Sequence, residues 1–365
     1  MPDAQTERAP QAQGPAQAAP APRVRPHGRL LPLRVGTRGS PLALYQTRMF
    51  LERLRGFCPV LHGPLLGGGP LLGGGPLLGG GEVFEEHVIR TTGDRVQDRS
   101  LAEIGGKGLF AKEIHEALLD GRIDFAVHSL KDLETELPPG IVLACTLRRE
   151  DARDALILGP ECRPPDPGDP FAVLPAHALI GTNSVRRQAQ LLHARPDLRM
   201  TLLRGNVGSR LDKVRRGECQ ASLLALAGLR RLGLEAEAGL VLDPEAMVPS
   251  AGQGIVGVTV REDDEELRAL LAGIEDPQAR AVSTAERALL ALLDGSCRTP
   301  IGGYARLLPA DPGETPSLHL TGLVARADGS FLLKRSVHGP AADAERLGAE
   351  LGTSLRADSP RDIFG

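Results

Sequence analysis

The chain has 365 residues, of which 41% are hydrophobic and 24% charged, and its net charge is −3. That balance is too apolar for global disorder and implies no whole-chain affinity for nucleic acid or membrane surfaces, and no window of about 18 residues is apolar and uncharged enough to span a bilayer. Its five cysteines, Cys58, Cys145, Cys162, Cys219 and Cys297, form no CxxC pair, which argues against a disulfide framework or a thiolate metal site and fits a reducing compartment.

Residues 1–30 hold six Pro, seven Ala and four Gln with almost no large apolar side chains. Such a segment cannot offset its ordering entropy and lacks the apolar region of a secretory signal, so it reads as a disordered tail. Leu33–Gly36 reads as a strand, and Ser40 caps a helix that starts at Pro41 and sets Leu42, Tyr45 and Met49 on one face. Residues 64–81 are PLLGGG three times over; the cost of ordering triple glycines favours a flexible insert over a solenoid core. Val83–Arg90 is a second strand, Leu109–Asp120 a helix stopped by Gly121, and Ile123–His128 a third strand. A proline-rich break at Pro160–Pro170 follows. Strands at Leu179–Gly181, Thr201–Leu203 and Ser222–Leu226 then alternate with helices at Val185–Ala194 and Val207–Arg216. Asp276 caps a helix running from Pro277 to Asp294, a turn carries Cys297, and strands at Leu318–Val324 and Phe331–Val337 precede a closing helix. The fold class expected is α/β: two α/β domains and a smaller α+β domain.

Basic residues concentrate in one stretch. Thr182–Arg216 carries nine of them, including Arg186, Arg187, Arg204 and Arg210, against Asp197 and Asp212, in a chain whose Lys+Arg total of 43 is nearly all arginine. A solvated helix face is the plain reading of any single one. Position argues for more, because Thr182-Asn183-Ser184 follows a strand and opens a helix, so backbone N–H groups, hydroxyls and Arg186/Arg187 converge there. Arg204-Gly205-Asn206 repeats the arrangement, and helix N-termini at the C-terminal edge of an α/β sheet are anion sites. Thr37-Arg38-Gly39-Ser40 is a third such turn, and Gly105-Gly106-Lys107-Gly108 brings backbone and an ammonium together without the spacing of a Walker A motif. Gly252–Gly257 fits GxGxxG but leads into a strand, which argues against dinucleotide binding. His128-Ser129-Leu130-Lys131-Asp132 ends a strand. His128 alone suggests a packed histidine and Lys131/Asp132 a surface turn, yet a carboxylate among many cations stays ionised and can stabilise positive charge formed in a reaction. Cys297 is either an inert buried thiol or, in a glycine-containing turn beside Arg298, one disposed to covalent attachment.

Together these strings resemble one family. Thr37-Arg38-Gly39-Ser40-Pro41-Leu42-Ala43, Gly105-Gly106-Lys107-Gly108-Leu109-Phe110 and Ala126–Asp132 are followed in order by Gly181-Thr182 with Ser184–Gln188, Leu203–Gly208, Ala251–Gly254 and Cys297–Gly302. The series resembles the porphobilinogen deaminases, also called hydroxymethylbilane synthases. The resemblance implies two domains similar to periplasmic binding proteins plus a third. The implied division is 31–150 with a returning segment at about 253–273, then 151–252, and 274–365. It implies a monomeric cytoplasmic transferase of tetrapyrrole synthesis that binds no nucleic acid, membrane or metal. Four porphobilinogen molecules are condensed with loss of four ammonia into linear hydroxymethylbilane, on a dipyrromethane cofactor attached to the thiol matching Cys297. Arg38, Ser40, Lys107, Ser129, Lys131, Thr182, Ser184, Arg186, Arg187, Arg204 and Arg210 match as binders of the pyrrole carboxylates. Asp132 matches the catalytic aspartate, stabilising cationic pyrroles and assisting proton transfer. Three positions depart from the pattern: Glu103 stands where many members have Lys, Asn183 where Ser is common, and Ser296 where Gly is common. The competing readings are a non-catalytic binder of polycarboxylates and an RNA-binding basic patch; with no Trp and two Tyr, the latter has few stacking platforms.

Overall fold

The structure, a computed structural model, describes residues 31–58, 61, 65–66, 83–95, 108–163, 166, 168–293, 299–309 and 315–364. The expected tail, most of the PLLGGG insert, Glu103, Lys107, Ser296 and Cys297 lie outside the described residues. The first block contains β1 (Leu33–Thr37), α1 (Pro41–Phe57), β2 (Leu65–Leu66), β3 (Phe84–Val88), α2 (Thr92–Arg95), α3 (Lys112–Leu119), β4 (Phe125–Ser129), a 3-10 turn at Leu130–Asp132 and β5 (Ile141–Thr146). The second contains β6 (Asp154–Leu158), β7 (Leu179–Gly181), α4 (Val185–Ala194), β8 (Arg199–Thr201), α5 (Val207–Arg215), β9 (Ala221–Ala225), α6 (Leu226–Arg231) and β10 (Leu240–Val241). The chain then crosses back through β11 (Val256–Arg261) and α7 (Glu265–Ala272). It ends with α8 (Pro277–Leu292), β12 (Ile301–Leu307), β13 (Ser317–Ala325), β14 (Leu332–Pro340) and α9 (Ala344–Ala357).

Three sheets result. The first has the order β2-β3-β1-β4-β11-β5, the second β10-β6-β9-β7-β8 and the third β12-β13-β14. In the first sheet β3, β1 and β4 are parallel, and β11, arriving from the far side of the second sheet, runs antiparallel between β4 and β5. In the second, β7 is parallel to β8 and β9, with β6 antiparallel on β9. β4 and β11 are covered on both faces, so they read as nearly continuous buried runs without alternation. The first core is built on Phe50, Phe84 and Phe125, the last ring lying 5.7 and 6.4 Å from the other two. In the third unit α9 lies against α8 at close range. A Cβ on Gly348 would come within 2.3 Å of the Ala285 carbonyl, so glycine there sets the helix separation.

Local signals place the helix starts well. Side chains of Ser40, Ser184, Asn206, Asp264 and Asp276 each accept an N–H from the first turn of α1, α4, α5, α7 and α8. Other details differ from the sequence reading. The buried face of α1 is Gln46, Thr47, Phe50, Leu51 and Leu54, while Tyr45 is 42% exposed. The cause is tertiary: the first turn of α1 abuts the second block, where Leu42 lies against Gly228 of α6. The strand expected at Thr201–Leu203 is Arg199–Thr201, because parallel pairing with β7 fixes its register from Leu179↔Arg199 to Gly181↔Thr201. Leu65–Leu66 of the first PLLGGG copy pairs with Phe84–Glu85 as an edge strand where a loop was expected, since the free edge of β3 offers backbone partners.

Candidate active site

A cleft of about 810 Å³ lies between the first two sheets. It sits over the C-terminal ends of β1, β3 and β4 on one side and of β7, β8 and β9 on the other, the edge at which α/β sheets present helix N-termini and loops to ligands. Among the described residues six cations line it, Arg38, Arg90, Lys131, Arg187, Arg204 and Arg210, against the carboxylates of Asp94 and Asp132. Val88, Phe110, Leu42, Leu224, Leu232 and Leu234 supply apolar wall.

On the first sheet, Arg38 leaves β1 with its guanidinium 4.1 Å above the Phe110 ring. Its Nε and Nη2 donate to Asp94, and its Nη1 lies 3.5 Å from Asp132 Oδ2. Burial works to raise the Asp94 pKa, but the Arg38 guanidinium and the Thr91 hydroxyl and amide outweigh it and hold the carboxyl below its ordinary value. Asp132 closes the 3-10 turn that follows β4. Beside it the Lys131 Nζ donates to Gln253 Oε1 at 3.3 Å. Burial pushes Lys131 down to about 8, opposed by Asp132 and Asp154 and reinforced by Arg187 and Arg186. Ser40 faces the cleft while capping α1 through a bond from the Ala43 amide at 3.2 Å.

On the second sheet, Arg187 donates to the Leu223 carbonyl and to Asp154 Oδ1, both at 2.8 Å, and its buried Nε has no partner among the described residues. Arg204 reaches across to the first block and donates to the Gly93 carbonyl at 3.2 Å. Arg210 donates to the Gly205 carbonyl at 2.9 Å, and burial, with Arg187 and Arg204 nearby, brings it down to about 10 against the pull of Asp132. Asn183 lines the cleft with a buried Oδ1 that lacks a partner among the described residues.

Of the site residues expected from sequence, Arg38, Ser40, Lys131, Asp132, Arg187, Arg204 and Arg210 come together around this space. Ser129, Thr182, Ser184 and Arg186 stand behind it. Ser129 donates to Gln46 at 2.9 Å, Thr182 accepts the Ser184 amide at 3.1 Å, and Ser184 accepts the Arg187 amide at 3.4 Å. Arg186 is buried, donating to the Val248 carbonyl at 2.6 Å and to Asp154 Oδ2 at 2.8 Å. It therefore braces the carboxylate that holds Arg187. Sequence reading missed Asp94, Asp154 and Gln253. An available signal for Asp154 was the acidic run Glu150-Asp151-Ala152-Arg153-Asp154, which resembles a solvated linker until β6 buries its last member.

A crevice between two α/β sheets, walled by arginine with the carboxylates of Asp94 and Asp132 among the cations, is the site of a protein that handles compounds bearing several carboxylates. Comparison with known proteins makes this specific. Residues 33–269 match the family model described as porphobilinogen deaminase, dipyromethane cofactor binding domain, and residues 281–357 match that of the porphobilinogen deaminase C-terminal domain. A porphobilinogen deaminase of Paracoccus denitrificans is 43% identical over 91% of this chain and 96% of its own, and one of Sorangium cellulosum is 44% identical over 89% and 98%. The chain belongs to the porphobilinogen deaminase family. It is a transferase that condenses porphobilinogen into hydroxymethylbilane in tetrapyrrole synthesis, and its cofactor is a dipyrromethane. Among solved structures, the periplasmic VFT2 domain of Bordetella pertussis BvgS covers 66% of this chain and 86% of its own at 13% identity with a TM-score of 0.34; the fold assignment rests on the strand order instead.

Proposed function

We propose that the reaction takes place in the cleft between the first two sheets, with Asp132 as the catalytic group and Cys297 as the point of cofactor attachment. The observation that carries this reading is the placement of Asp132, partly exposed and 3.5 Å from Arg38, within a wall of six cations. A pyrrole of this kind presents carboxylates, an N–H donor and flat apolar faces. The donor set fits each of them: guanidinium and ammonium groups for the carboxylates, the Asn183 Oδ1, which has no partner among the described residues, as an acceptor, and Phe110 with the leucines for the faces. Arg38, Arg187, Arg204, Arg210 and Lys131 would hold the carboxylates directly, with Lys107 on the same motif grounds. Ser40, Ser129, Thr182, Ser184 and Arg186 shape the loops that aim them. The cofactor, when bound, supplies a nucleophilic pyrrole carbon fixed to the protein.

Asp132 acts on charge. Pyrrole nitrogen becomes positive as ammonia departs and again as rings couple, and a carboxylate already fixed in the cleft stabilises that charge with little reorganisation. Its oxygens also accept the proton displaced at coupling. Arg38 keeps Asp132 oriented, while Asp94 and Phe110 hold Arg38. The same proposal takes the chain as a cytoplasmic monomer in three domains divided near residues 150, 252 and 274. The three separate sheets support the division, and no helix among the described residues is long and apolar enough to cross a membrane.

Intact-mass measurement tests the attachment. Purified protein is expected to carry an adduct of two pyrrole units, and Cys297→Ala to have its encoded mass and no turnover. Normal loading of that variant would remove Cys297 from the scheme.

A further inference from the structure

Gln253 is fully buried where the chain crosses back from the second sheet to the first. Its Nε2 donates to the Ala152 carbonyl and to Asp154 Oδ1, both at 2.7 Å. Two acceptors at one end fix which end of the amide is nitrogen, so the oxygen is the end that meets Lys131, accepting from Nζ at 3.3 Å. The backbone carbonyl of Gln253 accepts from Arg149 Nε at 2.8 Å. One amide thus connects the Lys131-Asp132 turn of the first sheet to the carboxylate that holds Arg187 on the second.

Neither attachment is needed merely to fill space, which methionine would do at similar volume. What the amide adds is direction. Lys131 has a long, rotatable stem, and an ammonium left to itself would swing toward the adjacent Asp132 and neutralise it. Tied to Gln253, it is held short of an ion pair with Asp132, the carboxylate that nonetheless acts on it most strongly. We propose that Gln253 is a positioning residue for the reaction, holding the Lys131 ammonium off Asp132 and locking the catalytic turn to the Asp154–Arg187 pair across the cleft. The inference rests on the assignment of Asp132 above. It assigns Gln253 no contact with substrate.

A double-mutant cycle tests it on the cofactor-loaded enzyme, with Gln253→Met and Gln253→Asn each made alone and together with Lys131→Met. Each single change at Gln253 is expected to lower kcat about 10-fold, with KM within about twofold and the adduct mass retained. In the Lys131→Met background the further loss should stay below about twofold, because Gln253 acts through that ammonium. Equal losses in both backgrounds, or an unchanged kcat, would overturn the proposal. Gln253→Asn keeps the site polar and carries the test if the methionine variant does not fold. Failure of both to fold while Lys131→Met folds would also overturn it, since Gln253 would then serve only Asp154 and the fold. A wild-type enzyme that does not consume porphobilinogen would instead refute the reading on which the proposal rests.

Discussion

Asp132 and Asp154 both face arginine, and they stand at opposite ends of a scale of burial. Asp154 has no exposed surface and takes two guanidinium bonds at 2.8 Å plus the Gln253 amide at 2.7 Å. Asp132 keeps 32% of its side chain exposed, and among the described residues the guanidinium it pairs with, that of Arg38, is 3.5 Å away. The first carboxylate is saturated: burial works to raise its pKa, but Arg186 and Arg187 hold it well below the carboxylate range. The second has lone pairs to spare. The same residue type therefore serves to fix one wall of the cleft and to react inside it, and what separates the two is how many donors the fold has committed beforehand.

The comparison breaks most visibly at Asp154. Asp154→Asn strands two buried guanidinium groups, so a loss of about 3–5 kcal/mol is expected in urea unfolding; a loss under about 1 kcal/mol would mean that the pairing is not structural. Because the folded pKa lies below the unfolded one, the native carboxylate contributes stability that is present above about pH 4 and lost as pH falls through the folded value. The variant should lack that part of the acid sensitivity. At Asp132 the effect moves from stability to rate. Asp132→Asn is expected to retain the pyrrole adduct and change stability by under about 1 kcal/mol while lowering turnover by at least ~10²-fold, read in steady-state kinetics. Near-normal turnover would take Asp132 out of the chemistry.

Lys131 lies between these extremes. Its folded pKa of about 8 is below its ordinary 10.5, so between those values the unfolded chain binds more protons and stability rises with pH. Lys131→Met should lose that rise when unfolding is followed across alkaline pH, and an unchanged slope would show that the ammonium is more solvated than its surroundings indicate. The smallest effect belongs to the surface. Arg230 bonds Glu150 at 2.9 Å and Glu235 at 2.8 Å with a third of its side chain exposed, and Arg230→Ala is expected to cost about 1 kcal/mol or less in the same unfolding assay. A larger cost would show that ion-pair strength here does not follow burial.

Much of this was legible beforehand. The turns after β1, β4, β7 and β8 announce themselves by cap residues and cations, and the structure sets all four around one cleft. Harder to read were β5, β6 and β12. β12 begins Ile-Gly-Gly, a poor strand former, and its glycines are explained only by close neighbours, Val248 against Gly302 and Leu289 against Gly303. The β6 strand starts with an aspartate that looks like part of a charged linker until two arginines arrive from α4.

By itself the sequence determined where helices begin, that cations follow strands, and through its ordered motifs which family the chain belongs to, because these signals span only a few residues each. Tertiary structure alone decided which cations do what. Arg186 and Arg187 are adjacent and chemically identical, yet a turn of about 100° per helical residue points them differently, and a carboxylate more than thirty positions away along the chain claims both while leaving Arg187 at the cleft. Burial and pairing of charge are properties of packed neighbours, and neighbours distant in sequence meet only when the sheets assemble.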